Sequence, residues 1–270
     1  MKNLKMYCVT NKVVNFLNDT NYNIGWVGKE KSPKNYINCN SGDNIFYKER
    51  HYSELTFHYW YWKNLLNIEE NIWIGFCQKR RFWINKDYEN KEIKKISFEN
   101  NYLKDAPDEW RNYESILCNP INVNNVKKIK LLKKGLKSII KNPLIFFDTK
   151  KQSLLLHFDM HHGYGNLKKA ISVMESEDRN EFLDYVNNSV IYNPHIMFIA
   201  RPSIHKKWFD TLFPWLQRCE KIFGFSSASY GTTRIYGFLA ERYLSFWFNK
   251  YTKPLTWPII FFDINKNKIE

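Results

Sequence analysis

Apolar and polar positions recur along this chain with two different periods, and the changes of period mark its elements. Residues 5–14 (KMYCVTNKVV) are apolar and β-branched up to a polar turn, which predicts a first strand. Residues 18–44, rich in Asn, Gly and Ser, predict mostly loop. Between 52 and 66, Leu55, Tyr59, Trp62 and Leu66 are spaced by three or four, the period of a helix. Residues 71–77 (NIWIGFC) form a short apolar run suited to a buried strand of a mostly parallel sheet. The polar stretch 85–120 predicts a variable connection, and 143–149 (PLIFFDT) a further strand. A helical region is expected over 157–186, entered through the Gly-rich turn HHGYGN, then a strand over 195–200 (HIMFIA) and an amphipathic helix over 203–223. A last helix is expected over 234–251, burying Phe238, Leu239, Tyr243, Phe246 and Trp247. Strands alternating with helices predict one α/β domain over residues 1–270, its mostly parallel central sheet flanked by helices. In such a sheet, sites lie beyond the carboxyl ends of the strands.

Charge changes this picture in one place. Lys and Arg number 41 against 27 Asp and Glu, a net charge of +14 that favours an anionic partner. Residues 126–141 hold seven lysines and no acid, half of the surplus. Val126, Ile129, Leu132, Leu136, Ile139 and Ile140 fall at helical spacing there, so the segment from Val126 to Lys141 predicts a basic amphipathic helix. Its apolar stripe either packs on the core or docks on an anionic membrane surface. No nucleic-acid motif accompanies the lysines, so nucleic acid is not expected as a partner. The five cysteines are scattered without a CxxC pair, which predicts neither a disulfide framework nor a zinc knuckle. With no apolar leader and no run of eighteen apolar residues, the expected compartment is the cytoplasm.

Residues 42–83 concentrate polar and aromatic groups beyond what a core requires. The turn Ser41-Gly42-Asp43-Asn44 and Glu54 offer groups that accept from sugar hydroxyls, with Lys48 and Thr56 between and beside them. Tyr59-Trp60-Tyr61-Trp62 sets rings on every side of a helix, so Trp60 is a candidate stacking platform. Arg80 and Arg81 follow a strand, where their planar forks suit a pyrophosphate. His161 and His162 are candidate donors to phosphate or sugar hydroxyls, and Arg234 and Arg242 further substrate contacts. Glu241, among apolar neighbours on the last helix, is a candidate general base, or else the ion-pair partner of Arg234 or Arg242. There is no GxGxxG, Walker A loop, GxSxG elbow or Asp-x-Asp pair. No residue is assigned as a metal ligand, and a divalent cation is left open.

Three blocks carry a family resemblance. They are Gly42-Asp43-Asn44-Ile45 with Lys48, Glu54-Leu55-Thr56 and Tyr59-Trp60-x-Trp62-Lys63-Asn64; Ile74-Gly75-Phe76-Cys77-x-x-Arg80-Arg81-Phe82; and Met197-Phe198-Ile199 followed by Arg234-Ile235-Tyr236-Gly237-Phe238-Leu239-Ala240-Glu241-Arg242. Over about 5–250 the chain resembles the glycosyltransferase-like family of capsular and exopolysaccharide gene clusters known as domain of unknown function 4422. The resemblance implies a GT-A-like fold and transfer of a sugar from a nucleotide sugar, and the expected acceptor is a glycan or a lipid-linked sugar. Separately, the basic helix from Val126 to Lys141 is expected to bring the protein to lipid-linked acceptors at the inner face of the membrane. On the resemblance, Asp43, Asn44 and Glu54 bind the nucleotide sugar, Arg80 and Arg81 its diphosphate, and Glu241 is base or hydroxyl ligand. A non-catalytic sugar-binding or scaffolding protein on the same fold is the alternative. The chain departs from the family where Cys77-Gln78-Lys79-Arg80-Arg81 replaces Cys-His-Tyr-Arg-Arg. It departs again at Asn166, which stands for an acid after Phe158 and His162.

Overall fold

The computed structural model describes residues 3–88, 101–225, 229–263 and 268–269. Its centre is a sheet of β1 (Leu4–Thr10), β2 (Asn23–Trp26), β3 (Ile37–Asn38), β4 (Trp73–Gln78), β6 (Ser115–Cys118), β9 (Phe198–Ala200) and β10 (Pro254–Trp257), with β5 (Arg81–Trp83) and β11 (Ile259–Asp263) attached at the β4 end. The order is β10-β6-β9-β4-β1-β2-β3. Only β9 runs against its neighbours β4 and β6; the remaining pairs along this path are parallel. A two-residue ribbon, β7 (Ile121–Asn122) with β8 (Ile191–Tyr192), stands apart.

Both faces of the sheet are covered, and alternation along β1 shows how. Leu4, Met6 and Cys8 pack with Trp73, Cys77 and Trp110 on one face, while Tyr7 and Val9 pack with Phe57, Tyr61 and Phe76 on the other. The second face is closed by α2 (Leu55–Asn64), α8 (Pro202–Phe223) and α10 (Ile235–Tyr251). Around it lie α1 (Glu49–Tyr52), α5 (Leu154–His162), α6 (Asn166–Ser172), α7 (Ser176–Asn188) and α9 (Tyr230–Thr233), with α3 (Lys128–Lys141) and α4 (Leu144–Phe147) on the outside. All five cysteines are buried and free.

The mixed α/β architecture with a mostly parallel sheet is the one the hydrophobic pattern predicts. Four local expectations change. The 18–44 stretch holds β2 and β3, which are too short and too rich in Gly and Asn to show a period, and which exist by pairing with β1. The 85–120 connection contains β6 and the fully buried Trp110, while 89–100 of it lie outside the described residues. Residues 144–147 form a helical turn, not a strand. Pro143 supplies a helical φ of −58° and Asn142 Oδ1 accepts from the Leu144 N–H at 3.2 Å. The 157–186 helical region is three helices, interrupted where Gly163 and Gly165 take φ of +96° and +78°.

The basic helix forms, but its stripe is turned around. Leu131, Gly135 and Ser138 face inward, whereas Ile129, Leu132, Leu136 and Ile140 lie on the solvent side. Leu131 packs with Leu156 and Met160 of α5, and a Cβ placed on Gly135 would reach the same two side chains at ordinary contact distance, so this side of α3 lies against α5.

Candidate active site

The strand order reverses between β1 and β4, since β2 and β3 extend to one side and β9, β6 and β10 to the other. A crevice beyond the carboxyl ends of two such strands is where open α/β sheets hold ligands. Two adjoining cavities of about 280 and 180 Å³ open there, sharing Ser53, Glu54, Gln78, Arg81, Tyr230 and Arg234. The larger is floored by Val9 and Thr10 at the end of β1 and walled by Lys79 and Arg80 from the β4–β5 turn. The smaller runs on to His195, Phe238 and Glu241.

Cations dominate the larger cavity. Burial pushes the Lys79 ammonium below its usual pKa, and Lys12, Arg80 and Arg234 push it the same way. Its Nζ donates to Asn11 Oδ1. Arg81 is held in place rather than swinging free. Its Nη1 donates to Gln78 Oε1 at 3.1 Å, the Gln78 amide donates to Glu54 Oε1, and Phe261 of β11 lies 5.3 Å beneath the guanidinium. Register brings Phe261 there, because β11 pairs with β5 at Phe261 and Arg81. Arg234 Nη1 donates to Ser53 Oγ at 3.1 Å. Burial raises the pKa of Glu49, with Arg234 and Lys29 drawing it back down.

The smaller cavity ends on a held carboxylate. Glu241 Oε1 accepts the His195 backbone N–H at 2.5 Å, and its Oε2 accepts from Arg242 Nη1. Arg242 is 1% exposed, lies 4.1 Å over the Tyr192 ring and donates to His157 Nδ1 at 3.1 Å. His195 has φ +67° and Ser53 φ +54°, so two cleft residues sit in a region that non-glycine residues avoid. Each carboxylate oxygen has two lone pairs, so Glu241 keeps acceptor capacity toward the cavity.

Of the residues singled out in the sequence, this cleft brings together Glu54, Arg80, Arg81, Arg234 and Glu241. The others line neither cavity. Asp43 and Asn44 staple their turn: Tyr59 Oη donates to Asp43 Oδ1, Asn64 exchanges hydrogen bonds with the Asp43 backbone, and Asn44 Oδ1 accepts from the Phe46 N–H. Trp60 Nε1 donates to Ser41 O in the same staple. Lys48 is paired with Glu220 at 2.7 Å, and Thr56 is fully buried inside α2. His161 bonds the His157 carbonyl, and His162 stacks on Phe238 at 3.8 Å behind the cavity wall. Arg242 supports Glu241 from within the core. Among the described residues, no three His, Cys, Asp or Glu are grouped to hold a metal ion, and we assign none as a ligand.

Sequence reasoning did not find His195, Ser53, Tyr230 or a role for Gln78. Their signal is tertiary, since the first two are marked by backbone strain and Gln78 by the two charges it joins. The departure at Gln78 and Lys79 falls inside the cleft, where the family pattern places His and Tyr.

The buried histidines give a testable pH response. Burial lowers the pKa of His195 to about 4 and His157 to about 3, in both cases reinforced by nearby arginine, and of His58, His162 and His205 to about 3, 2 and 4. A depressed histidine contributes stability above its unfolded value of 6.5, and that contribution is lost as pH falls toward the folded values. Asp159, raised to about 6 by burial, and Glu49, also raised by burial, act in the opposite sense, but they are two groups against six, since burial lowers His161 as well. The urea midpoint should therefore hold above about pH 6.5 and fall steadily from there to pH 4. A midpoint constant over that interval would contradict the burial of these rings.

No curated protein matches the chain. Among solved structures, the apo form of the bifunctional glycosyltransferase WbbM is similar to it, with a TM-score of 0.69 over 96% of this chain at 19% identity, and this chain spans 45% of that one. At that identity the likeness shows a shared fold, the α/β arrangement described above. The family described as Domain of unknown function (DUF4422) matches residues 5–253, nearly the whole length, and the chain belongs to that family.

Proposed function

We propose that the cleft binds a nucleotide sugar and transfers its sugar to a glycan acceptor, free or lipid-linked, on the cytoplasmic side of a membrane. One observation carries this most: Lys79, Arg80, Arg81 and Arg234 line one crevice at the carboxyl ends of β1 and β4, and that crevice continues into a cavity bounded by Glu54 and Glu241. The cations fit a diphosphate and the carboxylates fit sugar hydroxyls. Membership of the family and the fold shared with a glycosyltransferase agree with this.

In the proposed reaction an acceptor hydroxyl oxygen attacks the anomeric carbon. The bond from that carbon to the phosphate oxygen breaks, and the nucleotide leaves with the electron pair. The hydroxyl proton passes to Glu241. Arg80 and Arg81 neutralise the leaving phosphates, a preorganised electrostatic contribution. Gln78 keeps the Arg81 fork aimed by bridging it to Glu54.

Calorimetry with a panel of UDP-, GDP- and CMP-sugars tests this. At least one donor should bind, with affinity falling as salt rises, and be consumed when an acceptor is present. If no member of the panel binds, the proposal fails. Binding without consumption, over a range of acceptors, leaves a non-catalytic sugar-binding protein.

A further inference from the structure

We infer that α3 and α4 form a docking face for an anionic lipid bilayer, independently of what the cleft transfers. Ile129 and Ile140 are 70% and 71% exposed, and Leu132 and Leu136 about half. At 100° per residue these four span a sector of roughly 80°. Lys130, Lys133, Lys134, Lys137 and Lys141 occupy the flank next to it, and Leu131, Gly135 and Ser138 the side packed on α5. On the other flank α4 doubles back along α3, with Lys128 Nζ 5.2 Å from the Phe146 ring. It adds the exposed Leu144 and Phe147, the latter 78% exposed.

Charge decides the occupant. Between Val126 and Phe147 there are seven lysines and no acid, so a second copy of this face would meet like charge. A bilayer bearing anionic headgroups matches both parts at once. The apolar sector enters the headgroup–acyl boundary, and the lysine stems lie along it with their ammonium groups among the phosphates. No described helix is long and apolar enough to cross a membrane, so contact through these helices is interfacial.

The placement also bears on the cleft. One face of α5 puts Leu156 and Met160 under α3, while His162 at its end stacks on Phe238 of the cleft wall. A docked α3 thus leaves α3 itself and α5 between the bilayer surface and that wall of the cleft.

Vesicle co-sedimentation tests the inference. The protein should pellet with vesicles of phosphatidylcholine containing phosphatidylglycerol at low salt, and remain in solution with phosphatidylcholine alone or at high salt. Leu136→Gln with Ile140→Gln should lower partitioning about tenfold or more while the circular dichroism and thermal midpoint are kept, since both residues face solvent. Lys133→Glu with Lys137→Glu should abolish the dependence on phosphatidylglycerol. Failure of the wild-type chain to pellet at low salt overturns the inference. So does unchanged partitioning of the folded double-Gln variant, or a concentration-dependent dimer in sedimentation velocity that this variant dissolves.

Discussion

Arg81→Ala is expected to lower the affinity for the nucleotide sugar, and kcat/KM with it, by roughly 10- to 150-fold. A hydrogen bond to a charged group is worth about 1.5–3 kcal/mol, and each 1.4 kcal/mol is tenfold. The effect should fall at the upper end because the guanidinium is preorganised. Gln78 Oε1 holds one edge, Phe261 supports its face, and burial removes competing water. Binding should not vanish, since Lys79, Arg80 and Arg234 line the same crevice. Arg81→Lys keeps the charge but loses the fork, so its loss should be intermediate and its salt dependence close to that of the wild type. Gln78→Ala leaves every charge in place and removes only the bridge to Glu54. It should therefore raise KM less than Arg81→Ala does. Isothermal titration with the donor, beside a thermal melt for each variant, separates these cases. Wild-type affinity in a folded Arg81→Ala protein would place the phosphates elsewhere.

The reason Arg81 could be picked out in advance differs from the reason His195 could not. Arg80 and Arg81 follow a short apolar run, and a strand's carboxyl end is a predictable place in an α/β sheet. Position in the chain thus stood in for position in space. The same logic recovered β1 and β4 from their short apolar runs and α2, α8 and α10 from their helical spacing. It failed for β2, β3 and β6, which are two to four residues long and exist through pairing alone. Asp43, Asn44 and Trp60 show a different limit. Their density beside a helix marks a site or a staple equally well, and only the partners of Tyr59 and Asn64 tell which. The apolar residues of α3 show a third: helical spacing gives a stripe, but which side of the helix faces the core is decided by tertiary packing, here Leu131 against Leu156 and Met160 of α5.

Glu241→Ala is expected to destabilise the fold by about 3–5 kcal/mol, the cost of leaving a buried charge without its partner. For a chain of this size that lowers Tm by roughly 6–20 °C. The buried charge is Arg242, at 1% exposure, whose remaining contacts include the Tyr192 and Phe158 rings and the neutral His157 ring but no second carboxylate among the described ion pairs. The same change releases the His195 N–H and with it the strained turn at φ +67°. Glu241→Gln keeps an acceptor for that N–H and should cost less. Lost activity in either variant would be ambiguous, because a loosened cleft and a missing proton acceptor both slow transfer. The pair Glu241→Gln with Arg242→Met resolves it. Removing both charges relieves the unpaired guanidinium, so the double variant should regain much of the Tm lost by Glu241→Ala. If Glu241 takes the acceptor's proton, kcat stays low in the double variant while donor affinity stays near that of the wild type, since the phosphate-binding cations are untouched. If kcat returns together with Tm, the carboxylate only braces Arg242 and His195, and the base for the transfer must be sought at Glu54 across the cavity.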